Sequence, residues 1–125
     1  MWRWNRALHG GRVLSAESYR RMVTPEGAAA EAGHRYGFGI RASTIEGRRM
    51  YAHSGGILGF VSMLIYLPED DITVAVVRNA TGRGSDGVDP IAHRLAAVAL
   101  GAPDRPSASL AANPEHPTQP TPERR

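Results

Sequence analysis

Residues Phe60 to Leu67 restrict the possible folds of this chain more than any other segment. Val61, Met63, Ile65 and Leu67 alternate with Phe60, Leu64 and Tyr66, so both faces of the run are apolar. A surface hairpin has no use for two apolar faces, whereas a strand inside a sheet covered on both sides does. Pro68-Glu69-Asp70-Asp71 then turns the chain. Ile72 to Val77 returns as a β-branched partner, which predicts an antiparallel hairpin. Upstream, Arg48 to His53 reads as a further strand entered through a turn at Glu46-Gly47. Tyr36-Gly37-Phe38-Gly39-Ile40 alternates apolar residues with glycine, the pattern of a strand that another element approaches closely.

Helical spacing brackets this β region. Trp4, Ala7 and Leu8 share a face before His9-Gly10-Gly11 breaks the pattern. Ser15 is placed to cap a second helix, with Leu14 able to pack on Tyr19, and with Tyr19, Met22 and Val23 on one face. Thr24-Pro25 stops that helix, and an alanine-rich connection of weak helical potential runs from Gly27 to Gly33. Near the end Asp89 is a candidate cap and Pro90 a first helical residue, with Ile91, Leu95 and Val98 as the expected buried stripe before Gly101 and Pro103. Five prolines among Ser, Thr, Asn and Gln follow between Pro106 and Arg125. The expectation is one folded region over 1–103 and a disordered tail over 104–125. The fold class is α/β of the α+β type: an antiparallel sheet of three to four strands with flanking helices.

Composition removes several chemistries. The 125 residues contain no cysteine, hence no disulfide scaffold and no thiolate chemistry. All 15 basic residues are arginine. Without lysine there is no Schiff base, no Walker phosphate loop and no lysine-assisted nucleophile within the chain. The formal charge of +3 is unevenly spread, with a net +5 over residues 1–52 and −2 over 53–100. The arginines are spread out and mostly lack neighbouring exposed aromatics to stack bases, so a solvated surface is favoured over a nucleic-acid interface. The start, Met-Trp-Arg-Trp-Asn-Arg, has no apolar run behind it and does not read as a secretory signal. Ile57 to Leu67 is too short to span a bilayer.

Most candidate motifs fail on context. Gly37-Phe38-Gly39-Ile40-Arg41-Ala42 fits G-x-G-x-x-A, but no apolar strand precedes it and no helix follows. Gly82-Arg83-Gly84-Ser85-Asp86-Gly87 lacks the lysine of a phosphate loop and the acidic spacing of a calcium loop, and reads as a mobile connection. The five histidines, at 9, 34, 53, 93 and 116, show no metal-ligand spacing, and His93 is expected in solvent. What remains is Ala52-His53-Ser54-Gly55-Gly56 at the end of a strand. Ser54 is not a nucleophile elbow, since residue 52 is Ala and no helix follows. A mobile glycine-rich segment over 55–59 can still bring backbone N–H groups close to a substrate carbonyl.

The order of several short runs carries a resemblance. Trp4-Asn5-Arg6-Ala7-Leu8, Gly11-Arg12-Val13-Leu14-Ser15, Met22-Val23-Thr24-Pro25, Tyr36-Gly37-Phe38-Gly39, His53-Ser54-Gly55-Gly56, Gly59-Phe60 and Leu67-Pro68-Glu69-Asp70 follow one another. Together they resemble the C-terminal part of the serine β-lactamase-related hydrolases, which comprise class C β-lactamases, D-alanyl-D-alanine carboxypeptidases and related esterases. The resemblance implies part of a β-lactamase/transpeptidase-like fold and acyl-enzyme chemistry on a β-lactam, a D-Ala-D-Ala peptide or a small ester, without cofactor or metal. It implies that His53-Ser54-Gly55 is the family's third motif. In that role His53 and Ser54 position a substrate carboxylate or carbonyl, with Gly55 in the same motif and the Gly56 N–H as half of an oxyanion hole. A histidine in place of the commoner lysine favours esterase or peptidase activity over β-lactam hydrolysis.

The family's other two motifs are absent. Ser-x-x-Lys cannot occur without lysine, and the tyrosines stand in Tyr19-Arg-Arg, Tyr36-Gly-Phe, Tyr51-Ala-His and Tyr66-Leu-Pro, none of them Tyr-x-Asn. In the family both lie on the helical part of the domain, N-terminal to the residues matched here. The expected partners are therefore a small-molecule or peptide substrate and the N-terminal half of the same domain, with no catalysis by this chain alone. Family members are mostly periplasmic or secreted. The alternative is a small non-catalytic α/β binding module or pseudoenzyme that uses the same edge strand.

Overall fold

The computed structural model describes residues 1–79 and 87–102. The elements are α1 (Trp2–His9), α2 (Ala16–Val23), α3 (Ala28–Glu31), β1 (Arg41–Ile45), β2 (Arg48–Ile57), β3 (Phe60–Leu67), β4 (Ile72–Asn79) and α4 (Asp89–Ala99). The four strands form one antiparallel sheet in the order β1-β2-β3-β4. Two-residue turns close the first two hairpins. Glu46 and Gly47 both take positive φ (47° and 74°) between Ile45 and Arg48, and Leu58-Gly59 joins Ile57 to Phe60 with Gly59 at φ 85°. The glycine-loop segment 82–86 and the tail 104–125 lie outside the described residues.

Strand β3 sits inside the sheet, as its two apolar faces require. One face is fully covered: Val61, Met63, Ile65 and Leu67 pack with Met50 and Ala52 of β2 against Val88, Ala92 and Ala96. Complete burial of a side chain such as Ile65 contributes about 2–3 kcal/mol. The helix surface that does the covering is not the expected one. Val88, Ala92 and Ala96 are fully buried, whereas Ile91, Leu95 and Val98 are close to half exposed. Alanines four residues apart let the helix axis come close to the sheet, where larger side chains would hold it off. Asp89 is likewise the first helical residue rather than the cap, which is Val88. His93 is half-buried, not solvated, with Nδ1 2.8 Å from the Asp89 carbonyl oxygen.

The second face is covered at one end only. Val23 of α2 packs there with Tyr51 and Tyr66, joined by Tyr19, Met22, Ile40 and Ala42. Ser15 caps α2 as expected, its Oγ accepting from the Ser18 N–H at 3.1 Å. In α1 Trp4 is exposed, Ala7 and Leu8 are half-buried, and the residues brought to the sheet are Asn5 and His9. Asn5, 2% exposed, donates from Nδ2 to Thr73 Oγ1 at 2.9 Å. The His9 ring stacks on Tyr66 with centroids 4.2 Å apart, and its Nδ1 lies 2.7 Å from the Tyr19 hydroxyl. Arg6 and Asp71 form an exposed ion pair at 2.8 Å.

Tyr36 to Ile40 is not a strand. It is a tight bend with a single bridge, Tyr36 to Arg41, and the first strand begins only at Arg41. The Gly37 N–H is spent on the Ile40 carbonyl, and the Phe38 N–H donates to the Met22 carbonyl, 2.9 Å away. The close approach read from the glycines is real, since a Cβ on Gly37 would run into the Met22 carbonyl oxygen. Alternation alone did not distinguish a strand from a bend pressed against the end of α2.

Candidate active site

Strand β2 is longer than its partner β1, and that mismatch creates the site. Pairing with β1 ends at Arg41–Ala52, while pairing with β3 continues to Ile57–Phe60. Residues 55–57 therefore belong to a strand, and the expected mobile segment is reduced to the two-residue turn at 58–59. In an antiparallel ladder each residue directs its N–H and C=O to one neighbour, alternating along the chain. Both flanking hairpins set the same parity. Residues 48, 50 and 52 face β1, residues 49, 51, 53, 55 and 57 face β3, and Ser54 and Gly56 face outward. No strand among the described residues continues along that edge beyond Ala52, so the backbone of Ser54 and Gly56 is left open to a ligand.

The same pleat sends His53 and Ser54 to opposite faces. His53 stands with Tyr51, Gly55 and Ile57 on the partly open face, opposite Leu64. It is exposed, and its ring lies 6.0 Å from the Tyr36 ring at a 53° tilt. Ser54 is half-buried on the α4 side, in register with Met63. The sequence assigned these residues one motif, and the structure places them on one short edge with different directions. Among the described residues Ser54 makes no hydrogen bond to an imidazole that could take its proton, which fits a hydrogen-bonding role and not that of a nucleophile. Gly55 is in close contact with β3, since a Cβ there would fall 2.8 Å from Ser62 Oγ, whereas Gly56 has room beside Val61.

A cavity of about 250 Å³ opens at this edge, lined by Tyr36, Arg41, Ala52, His53, Ser54 and Met63. Tyr36 and Arg41 also line an adjoining cavity of about 530 Å³ with residues 33–35, 42 and 43. Neither was singled out from the sequence as a site residue. The available signal was the Tyr-Gly-x-Gly bend, which carries Tyr36 back over the start of β1. The arrangement offers outward N–H donors on a rigid strand, an imidazole that can donate or accept, a hydroxyl and a guanidinium around one opening. Donors held in advance on a strand stabilise developing negative charge on a carbonyl oxygen without reorganising.

The sheet thus leaves open the edge of the strand that carries His53-Ser54-Gly55-Gly56. Residues 1–99 match the family model described as Beta-lactamase, and the chain belongs to that family. It is 30% identical over 96 residues to D-aminopeptidases of Brucella ovis and Brucella melitensis, a match that covers 77% of this chain and 18% of theirs. The solved octameric penicillin-binding protein homologue from Pyrococcus abyssi superposes with a TM-score of 0.62 at 25% identity, covering 79% of this chain and 23% of that one. The chain thus spans about a fifth of the length of the relatives it matches.

Proposed function

We propose that this chain supplies the third-motif strand and the oxyanion wall of a serine hydrolase that forms an acyl-enzyme on a β-lactam, a D-Ala-D-Ala peptide or a small ester. The observation that carries the reading is the open edge of β2. It turns the Gly56 N–H outward beside His53, where an acyl carbonyl lying along the strand would meet it. In this reading the carbonyl oxygen accepts from Gly56 N–H while Ser54 and His53 orient the remainder of the substrate. The nucleophile and its lysine come from residues outside this chain, which has no lysine. The uncovered apolar residues Ile57, Phe60 and Val77, together with Ile91, Leu95 and Val98 of α4, are the surfaces on which the rest of such a domain packs.

The experiment is a graft. Residues 1–99 replace the matching segment of a Brucella D-aminopeptidase, and amide hydrolysis is measured in the chimera. Retained turnover that falls about a hundredfold or more on His53→Ala supports the assignment. A folded chimera that turns over at the same rate with His53→Ala removes His53 from the mechanism. The absence of lysine gives weight to a second reading, a binding module without catalysis. A folded but inactive chimera would favour it. The isolated chain is expected neither to hydrolyse a chromogenic β-lactam nor to be acylated by penicillin, and stoichiometric labelling at Ser54 would overturn these roles.

A further inference from the structure

The far edge of the sheet is open as well, along the whole of β4. That strand pairs with β3 alone. The parity set for β2 carries through β3, so residues 72, 74, 76 and 78 direct their N–H and C=O groups to β3. Thr73, Ala75, Val77 and Asn79 direct theirs outward, and among the described residues no backbone group pairs with them there. A long unpaired edge is a template for another strand unless a proline, a bulge or a charge blunts it. From Thr73 to Val77 there is no proline or charged residue, and the register with β3 runs without a bulge.

The chemistry of this edge is complementary to itself. With a second copy antiparallel and the two-fold axis at Ala75, the outward residues meet in hydrogen-bonded pairs, Ala75 with the partner's Ala75 and Thr73 with the partner's Val77. Val74 lies between them opposite the partner's Val76, a pair of β-branched side chains. A slip by one residue would set outward groups against inward ones, which restricts the register. The charge at Arg78 comes to the partner's Ile72, beside the acidic turn Glu69-Asp70-Asp71, and the two Arg78 residues stay about 20 Å apart. Nothing larger than a methyl group stands at the axis, where Ala75 is exposed, and Val77, 61% exposed in one chain, gains a cross-strand neighbour. Helix α4 packs mainly over β4 and β3, with Ile91, Leu95 and Val98 half exposed along one flank. An axis perpendicular to the sheet puts both copies of α4 on the same face. We infer that the chain forms a two-fold dimer in which β4 pairs with β4 of a second copy and one sheet runs through both. The inference concerns the edge opposite the candidate site, and its failure leaves the hydrolase reading standing.

The test is sedimentation equilibrium of the full 125-residue chain, with two charge variants at the axis. The unsubstituted chain is expected to sediment at about twice its 13.5 kDa mass. Ala75→Lys and Ala75→Glu each set like charges face to face, and each is expected to weaken the dimer roughly fivefold or more. An equimolar mixture of the two is expected to restore it, because opposite charges then meet. Amide exchange reads the same contact without substitution. The Ala75 and Val77 amides are expected to slow as concentration rises, while that of Thr44, outward on the opposite edge β1, does not change. An unsubstituted chain that stays at 13.5 kDa overturns the dimer and leaves the edge to a strand from a different protein. A dimer undiminished in both folded variants overturns pairing through β4 in favour of the uncovered face at Ile57 and Phe60, as do amides at 75 and 77 that ignore concentration. Loss in both variants without recovery in the mixture overturns the axis at Ala75. Should a variant not fold, the exchange result decides by itself.

Discussion

Tyr66 and Phe60 stand on the same face of β3, yet Tyr66 is 8% exposed and Phe60 is 48% exposed. The two ends of that face have different neighbours. Around Tyr66 the sheet is wide and carries α1 and α2, with His9 stacked on the ring and Tyr51 alongside. Around Phe60 it has narrowed, because β1 has ended and no described helix lies over Ile57, Phe60 and Val77. One end is a packed aromatic core, and the other is a rigid platform with unspent backbone donors. The candidate site lies where the first gives way to the second, so its strand is anchored at one end and open at the other.

Truncating the two aromatics separates the ends most sharply. Tyr66→Ala is expected to cost about 3 kcal/mol and Phe60→Ala less than about 1 kcal/mol, read from urea unfolding of the whole chain. Equal losses would mean that the Phe60 end is buried in solution, by self-association or by residues outside those described. The α4 side provides the next largest contrast. Ala96→Leu forces a larger side chain between helix and sheet at a fully buried position and is expected to cost about 1–3 kcal/mol. Leu95→Ala, on the outer face of the same helix, should change stability by less than about 0.5 kcal/mol. The reverse order would restore the Ile91–Leu95–Val98 stripe as the packed face.

The smallest effect expected is a pH dependence confined to the covered end. Burial holds the His9 imidazole below its ordinary 6.5. Below pH 6.5 the unfolded chain takes up a proton that the folded chain resists. The stability His9 contributes is thus complete above that pH and is lost as the pH falls through the folded-state value. On the alkaline side burial, reinforced by Tyr51 and Tyr66, pushes Tyr19 up to about 12 from an ordinary 10.0. Its contribution is complete below pH 10 and is lost as the pH rises through about 12. In thermal melts across pH, His9→Phe should flatten the acid limb and leave the alkaline limb in place. An unchanged acid limb would assign it to another group.

Much of the fold was legible because its signals are local. The doubly apolar run of β3, the Pro68 to Asp71 turn and the Ser15 cap each depend on residues close in sequence, and each is where the pattern put it. One error lies in the choice of a helix face. In α4 the larger apolar residues were expected against the sheet and the smaller alanines lie there, and in α1 the residues that reach the sheet are Asn5 and His9. Ala92 and Ala96 allow close approach in α4, and Asn5 and His9 find polar or aromatic partners in Thr73, Tyr19 and Tyr66. Hydrophobic period selects a helix correctly but ranks its faces by apolar area, and the winning face is decided by fit to a surface that the helix's own sequence does not contain.

The sequence by itself determined most of the elements and the chemical inventory. Lysine is absent, so a catalytic serine activated by a lysine of this chain has no place in it, and His53-Ser54-Gly55-Gly56 stand in the last part of a strand. Tertiary structure alone decided that β1 stops at the level of Ala52, that Ser54 and Gly56 turn their backbone outward, and that Arg41 and Tyr36 close the end of that opening. The reason is physical. Residue types are written along the chain, but an unpaired strand edge exists only as a difference in length between two neighbouring strands, a relation between segments that becomes visible once they are paired.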